Sequence, residues 1–313
     1  MKAMGAKTPT DSVALARGIS IGPRHLLFGV LWLSSTWLFW QPLVDLIRLS
    51  LRDENSSHIP LILPISLAMI WLQRSAVFQI SRYSPVPAAP LFLAVAVTWY
   101  LERFTLPTWE PTDRLSVLIV LIVISWVALF LFCYGAPAVK AAWFPLSYLF
   151  LMIPFPAAVT GHLIGFLQSW SADASYAIFR LMGTPVLRDG FHFSLPGVDI
   201  EVAQQCSGIH AALSLFVAGL LAAHFVLQAP WKEACFALCI LPIAILKNAI
   251  RIVTIAWVGI HVNPAVFDGP LHRRGGLIFG VVAFALMALL LWFLKGSTAR
   301  RDRAPHFAQE TAS

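Results

Sequence analysis

The chain has 313 residues, of which 58% are hydrophobic and 12% charged, about half the charged share of an ordinary soluble domain. A soluble globular fold of this length cannot bury that much apolar surface, and the same composition excludes a disordered or collagen-like chain. The net charge of +7 reads as cations that flank hydrophobic segments and orient them; no basic run interleaved with aromatics lies outside those segments, so no nucleic acid is expected as a partner.

Eight membrane spans are predicted by apolar run length and its interruptions. Span 1 covers about 26–44, and span 2, short and Pro-containing, about 59–73. Span 3 covers about 88–101 and span 4 about 115–134. Span 5, about 141–159, carries three prolines. In 162–182, Leu163, Phe166, Leu167, Trp170, Ala174, Ile178 and Leu181 recur at helical spacing, with Gln168, Ser169, Ser171, Asp173, Ser175 and Arg180 opposite. That pattern predicts an amphipathic helix lying in the membrane interface. Phe191, Phe193 and Leu195, then Val198, Ile200 and Val202, alternate with polar residues around Pro196-Gly197, which predicts a small extramembrane β-hairpin over about 186–203. Spans 6, 7 and 8 follow at about 207–228, 233–258 and 275–294. The fold class is therefore an all-α polytopic membrane bundle. It divides into an N-terminal cytoplasmic tail (1–25), a membrane domain (26–295) and a basic cytoplasmic C-terminal tail (296–313). With both termini inside, Lys and Arg fall twelve inside to ten outside, a weak bias that the basic tail after span 8 reinforces.

Ionisable residues in hydrophobic spans are costly and mark function. Three places stand out: Cys206 in EVAQQCSGIH at the start of span 6; Lys247, Asn248 and Arg251 in ILKNAIRIV near the end of span 7; and His272 in PLHRRGG before span 8. At 1.5 Å per helical residue, all three fall near one membrane face. A Cys, a His and an Arg on one rim suit nucleophilic catalysis. A neighbouring cation favours the thiolate, the His shuttles a proton, and the Arg donates hydrogen bonds to a developing oxyanion. The same residues also fit a packed Cys, an interfacial His and snorkelling cations, Lys247 foremost. Cys133 and the i, i+4 pair Cys235 and Cys239 read as packing. No HExxH is present, so a zinc protease of that kind lacks its ligands; neither a metal nor a cofactor is expected.

At these residues the chain resembles the exosortases, of the exosortase/archaeosortase group of membrane cysteine transpeptidases. The motifs QQCSGIH (204–210), LKNAIRIV (246–253) and LHRRGG (271–276) carry the resemblance. HIPLILPIS (58–66), WFPLSYLFLMIPFP (143–156) and residues 167–196 support it. The resemblance implies that Cys206 is the nucleophile and that Arg251 and His272 are its catalytic partners; Asn248 and Lys247 are assigned to substrate binding. The residue after CSG-I, often Arg in such proteins, is His210 here. The implied partners are membrane lipid, an acceptor nucleophile, and exported proteins ending in a short PEP-like motif, an apolar span and a basic tail. Cleavage would occur at the outer face of a bacterial inner membrane. A transporter or flippase would need broken helices in matched halves, and none are found. A glycan ligase or polymerase would use Arg and His without Cys, and a purely structural subunit would need none of the three.

Overall fold

The computed structural model describes residues 22–105, 109–202, 208–227, 229–262 and 270–301; for 103, 105, 270–277 and 297–301 it describes the backbone alone. The helices are α1 (Pro23–Leu38), α2 (Trp40–Arg52), α3 (Ile59–Leu72), α4 (Arg74–Val77), α5 (Pro85–Thr105), α6 (Pro111–Ala141), α7 (Trp143–Tyr148), α8 (Ala157–Leu181), α9 (Ile209–Leu227), α10 (Pro230–His261) and α11 (Pro270–Arg301). Three short strands, β1 (Leu187–Asp189), β2 (His192–Leu195) and β3 (Val198–Glu201), lie between α8 and α9. Six helical segments are long and apolar enough to cross a membrane, or up to eight spans if two broken pairs are included. Trp37, Trp71, Trp292 and Phe293 stand outward, each more than 60% exposed, as lipid-facing side chains do. The protein is a polytopic helical membrane protein.

Contacts divide the chain into two compact units. One comprises Met1–Leu43, Ile65–Pro107 and Leu118–Phe150; the other comprises Val44–Pro64, Thr108–Val117 and Leu151–Ser313. In the first, α6 is the central element. Ile119, Ile122, Val123, Ala128 and Cys133 are fully or nearly fully buried along it. Phe28, Phe78, Phe130 and Tyr134 form an aromatic cluster, with ring centroids 4.8–6.3 Å apart. His25 Nδ1 shares a 2.9 Å hydrogen bond with Tyr134 Oη, and Ser35 and Ser125 bond side chain to side chain at 3.1 Å. Such interhelical bonds contribute about 0.6 kcal/mol each in lipid.

The end of α6 shows how the unit copes with a lack of water. Gly135 sits at φ 83°, ψ 172° inside the helix, and Pro137 follows it. That backbone region is open essentially only to glycine, and the kink breaks the ladder of helical hydrogen bonds. The freed carbonyls are taken up by an extended neighbour: Arg82 N–H donates to Tyr134 O at 3.2 Å, and Ser84 N–H to Phe132 O at 3.0 Å. A Cβ at Gly135 would lie 2.7 Å from the Arg82 carbonyl oxygen, which is backbone and cannot swing away.

The second unit holds α8 to α11 and the sheet. Leu215, Ala223, Phe236, Ile240, Ala283 and Met287 make one core between α9, α10 and α11. A second core joins Ala172 and Phe179 of α8, Phe193 and Leu195 of β2, Val202, and Val253 and Ala256 of α10. Two sequence expectations change here. The hairpin is a three-stranded antiparallel sheet, ordered β1-β2-β3, with Leu187 paired to Ser194 and Phe193 to Ile200. Gly190 (φ 60°) and Gly197 (φ 81°) make its two turns. Span 5 is not one helix, because Pro154 and Pro156 in IPFP remove backbone donors and hold the preceding residues extended. Helix α7 ends at Tyr148, a 3-10 turn continues over Leu149–Met152, and the α-helix resumes at Ala157.

The residues of 162–182 do form a helix, α8, with Leu167 buried and Asp173 and Arg180 exposed as expected, but part of each face departs from the expected facing. A helix lying in an interface turns its polar stripe to water. Here Gln168, Ser171 and Ser175 are buried beside Leu167, Ala172 and Phe179, while Phe166, Trp170 and Leu181 are exposed. Small polar residues allow α8 and α10 to approach closely, and the aromatics face outward.

Gly135→Ala is expected to destabilise the first unit by at least about 2 kcal/mol, from left-handed strain plus the clash with a carbonyl. Thermal unfolding in detergent should show a lowered midpoint and a reduced membrane yield. An unchanged midpoint would mean that the kink is not held by the 82–84 segment.

Candidate active site

The helices of the second unit set the level of the candidate residues. A Cβ at Gly219 of α9 would lie 2.6 Å from Met287 Cε of α11 and 2.8 Å from Ile240 Cδ1 of α10, so these three positions share one plane. Two residues join α9 to α10, and eight join α10 to α11, so neighbouring helices run antiparallel. From the common plane, Gly208 and Arg251 each lie eleven residues away, ~16 Å, and His272 lies fifteen residues away, ~22 Å, all toward the same end. Gly208, Arg251 and His272 thus lie toward one end of the three helices. Arg251 is not at the end of its helix, however, because α10 runs ten residues further, to His261. Those last turns carry Val253 and Ala256 into the core beneath the sheet.

Cys206 lies outside the described residues, within 203–207. Both ends of that stretch are fastened. On the upstream side, Gln168 Nε2 donates to the Val202 carbonyl at 2.5 Å, and Val202 N–H donates to Phe191 O at 3.0 Å. Gln168 is 5% exposed, and this bond gives a buried amide and a buried carbonyl their partners. Downstream, Gly208 adopts φ 77°, and a Cβ there would meet Asn248 Cγ and Oδ1, both at 3.2 Å. At the second residue of α9, His210 Nδ1 donates to the Glu54 carbonyl at 2.5 Å. The short helical turn Glu54–Ser56 is itself closed by Asp53, whose Oδ1 accepts from Asn55 N–H and whose Oδ2 accepts from Ser56 Oγ.

Lys247, Asn248 and Arg251 line the stretch of α10 that meets Gly208. Lys247 is 2% exposed and Asn248 1%, and Arg251 is half-buried. Burial of Lys247 overturns its reading as a snorkelling anchor: its stem and head are enclosed by protein rather than reaching for an aqueous boundary. Two cations at i, i+4 on one helix face repel each other unless an anion or an acceptor lies between or beside them. Cys206 is two residues from Gly208, which is at most ~7 Å of chain. The polar face of α10 is thus against the motif that carries the candidate nucleophile. His272 lies on the first turn of α11, and its side chain is outside the described residues. Cys133 is buried, and Cys235 and Cys239 are partly buried free thiols. Among the described residues, no three or more His, Cys, Asp or Glu converge as a metal set.

Sequence reasoning missed Gln168 and the His210–Glu54 bond. Gln168 was visible as a polar residue among apolar ones, and in a membrane protein such a residue points inward to a partner. A backbone carbonyl as the partner of His210 leaves no trace in the residue pattern.

The model of the transmembrane exosortase family (Exosortase_EpsH) matches residues 40–293. The chain belongs to the transmembrane exosortase family. No curated protein and no solved structure matches it. The match to the family spans α2 to α11 and includes every element that fastens the 203–207 stretch.

Replacing Gln168 by Leu leaves the Val202 carbonyl buried without its donor, at a cost of about 1–3 kcal/mol. In a chain whose other cysteines are changed to Ala, Cys206 alkylation by a maleimide is expected to accelerate at least about fivefold, the lower end of that range. An unchanged alkylation rate would show that Gln168 does not hold this stretch.

Proposed function

We propose that the chain is a membrane-embedded cysteine transpeptidase that cleaves the C-terminal sorting tail of exported proteins through a thioacyl-enzyme. The Cys206 thiol passes its proton to His272, and the thiolate attacks the scissile carbonyl. The oxyanion that forms is held by the forked donors of Arg251. On collapse, the carbon–nitrogen bond breaks, and the tail leaves as an amine that takes the proton back from His272. An acceptor nucleophile then attacks the thioester and gives its proton to His272, and the thiol is regenerated. Asn248 and Lys247 bear on the substrate from buried positions on α10, behind the CSG motif rather than at an entry. The substrate is an exported protein with a PEP-like motif, an apolar span and a basic end, and the site opens at the outer face of a bacterial inner membrane.

The observation that carries this reading is the contact of Asn248 with Gly208, together with Arg251 three residues further along α10. It brings a cationic, hydrogen-bonding helix face against the CSG motif. A glycan ligase or polymerase would have no use for a thiol there.

Cleavage of a co-expressed tail-bearing protein tests the roles, with membrane protein level measured alongside. Cys206→Ala should abolish cleavage, whereas Cys235→Ala and Cys239→Ala should retain it. Arg251→Lys keeps charge but loses the planar fork, and should lower the rate roughly a hundred- to thousandfold, the effect of removing one oxyanion donor. Normal cleavage by Arg251→Lys would reduce Arg251 to an anchor, and full activity of Cys206→Ala would remove the nucleophile. Lys247→Arg, mild if Lys247 were a snorkelling residue, is expected instead to lower the amount of folded protein, because a larger head must enter a filled site.

A further inference from the structure

The starts of four helices meet at a cleft of about 450 Å³, within the range of ligand sites. Ile59 of α3, Thr112 of α6, Ala157 of α8 and Ile209 of α9 all line it, and each is the first or second residue of its helix. The 153–157 connection on one side is braced from α6. Ser116 Oγ donates to Pro154 O at 2.7 Å, and Ala157 N–H donates to Asp113 Oδ1 at 2.7 Å. Nothing in the catalytic scheme above uses this cleft.

The N-terminus of a helix presents N–H groups without helical partners and a positive dipole end, equivalent to roughly half an elementary charge. At two of the four starts a carboxylate already offsets that charge. Asp113 lies in the first turn of α6, and the same side chain caps α8 through Ala157. The first turns of α3 and α9 hold no acidic residue. Asp53 also lines the cleft, but its carboxylate accepts from Asn55 N–H and Ser56 Oγ and closes its own short turn. The two uncompensated starts together amount to about one positive charge. His58 immediately precedes α3 and lines the cleft. Its Nδ1 is buried with no hydrogen-bond partner among the described residues. His210, the second residue of α9, and Asp53 are both close enough to interact with His58 electrostatically. Among the described lining residues there is no Lys or Arg. About one positive charge and an unpartnered imidazole nitrogen suit a single carboxylate; a phosphate monoester brings nearly twice that charge.

Reach ties the cleft to the reaction. Ile209 is three residues from Cys206, at most ~11 Å of chain, and three residues of an extended substrate cover about the same distance. We propose that this cleft is the subsite for an acidic side chain of the substrate motif; the assignment rests on the transpeptidase reading. The carboxylate accepts from His58 Nδ1 and from N–H groups at the starts of α3 and α9. Ile164 and Leu213, on the apolar part of the lining, pack against the stem. Selection at this site is by charge: Glu is held, and its uncharged isostere Gln is not.

The test changes both sides of the contact. The substrate is a secreted protein ending in a PEP-like motif, an apolar span and a basic cluster, together with a form that differs only by Glu→Gln in the motif. Full-length enzyme is purified with each. For the unmodified enzyme the Gln form is expected to show a KM at least about tenfold higher, the lower end for loss of a hydrogen bond to a charged group, with kcat within about threefold. For His58→Gln the two forms should come within about threefold of each other, because the group that tells them apart is gone. The proposal is overturned if the unmodified enzyme cleaves both forms alike, or if His58→Gln keeps the full preference for Glu. A second pair uses Gly161 of α8, which lines the cleft and where an added Cβ meets nothing within 4 Å. Gly161→Glu puts a competing carboxylate in the cleft, and Gly161→Gln adds the same bulk without the charge. The KM for the Glu substrate should be at least about tenfold higher for Gly161→Glu than for Gly161→Gln, as like charges brought together repel. Equal KM values for this pair overturn the proposal, as does a change confined to transfer to the acceptor. Either pair decides where a variant of the other fails to accumulate. Cleavage by Cys206→Ala, by contrast, would sink the transpeptidase reading whatever these variants do.

Discussion

The approach of Asn248 to Gly208 is the constraint on which the rest of the second unit depends. A residue with a Cβ at 208 would press on the Asn248 side chain at 3.2 Å, and the positive φ of Gly208 disfavours such a residue in any case. The close approach lets α10 carry Lys247, Asn248 and Arg251 into the protein at the level where α9 begins. The price is a polar patch inside a hydrophobic span, which survives in a membrane only when protein groups surround it. Everything that packs near it serves that enclosure. The sheet and α8 cover the end of α10 through Val202, Phe193 and Phe179, while Ala283 and Met287 of α11 pack on α10 nearer its start, with Phe236 and Ile240.

The same logic recurs wherever polarity enters the protein. Gln168 is turned inward to a carbonyl beside the CSG motif. Ser66 donates to the Pro145 carbonyl at 2.6 Å, and Lys232, 2% exposed, donates to the Leu294 carbonyl at 2.5 Å near the end of α11. In each case a side chain on one helix donates to a backbone carbonyl elsewhere in the fold. Lipid offers no alternative partner, so these bonds fix which helices pair and in what register. Aromatic side chains, by contrast, are free to face outward, and Trp170 and Phe166 do so on the helix whose small polar face is buried.

Much of this was legible in the residue pattern. Run length gave the spans in α3, α5, α6 and α9 to α11, because each carries an apolar run long enough to cross a bilayer. Pro196-Gly197 marked the sheet turn. The facing of α8 was legible in part: Leu167 is buried and Asp173 and Arg180 are exposed as the pattern predicts, whereas Gln168, Ser171 and Ser175 turn inward, because in lipid small polar side chains pack against another helix. The split of span 5 followed from Pro154 and Pro156, but run length counts through prolines. The position of Lys247 was also hidden. Its burial depends on the closeness of α9, which is set by Gly208, and a short-range reading does not connect residues forty positions apart. For the candidate site, the residue types at 206, 251 and 272 were readable, while the groups that fasten the 203–207 stretch were not, because two of them are backbone carbonyls.

The central claim is that Cys206 becomes acylated by the substrate, and the most direct measurement is the covalent state of that residue during turnover. Full-length enzyme in detergent is mixed with a tail-bearing substrate, quenched in acid within one turnover and digested, and the peptide containing Cys206 is analysed by mass spectrometry. The account predicts an adduct on Cys206 with the mass of the substrate's new C-terminal acyl segment, released by neutral hydroxylamine as a hydroxamate. Efficient cleavage with Cys206 unmodified at every quench time, together with cleavage by a Cys206→Ala chain, would contradict it.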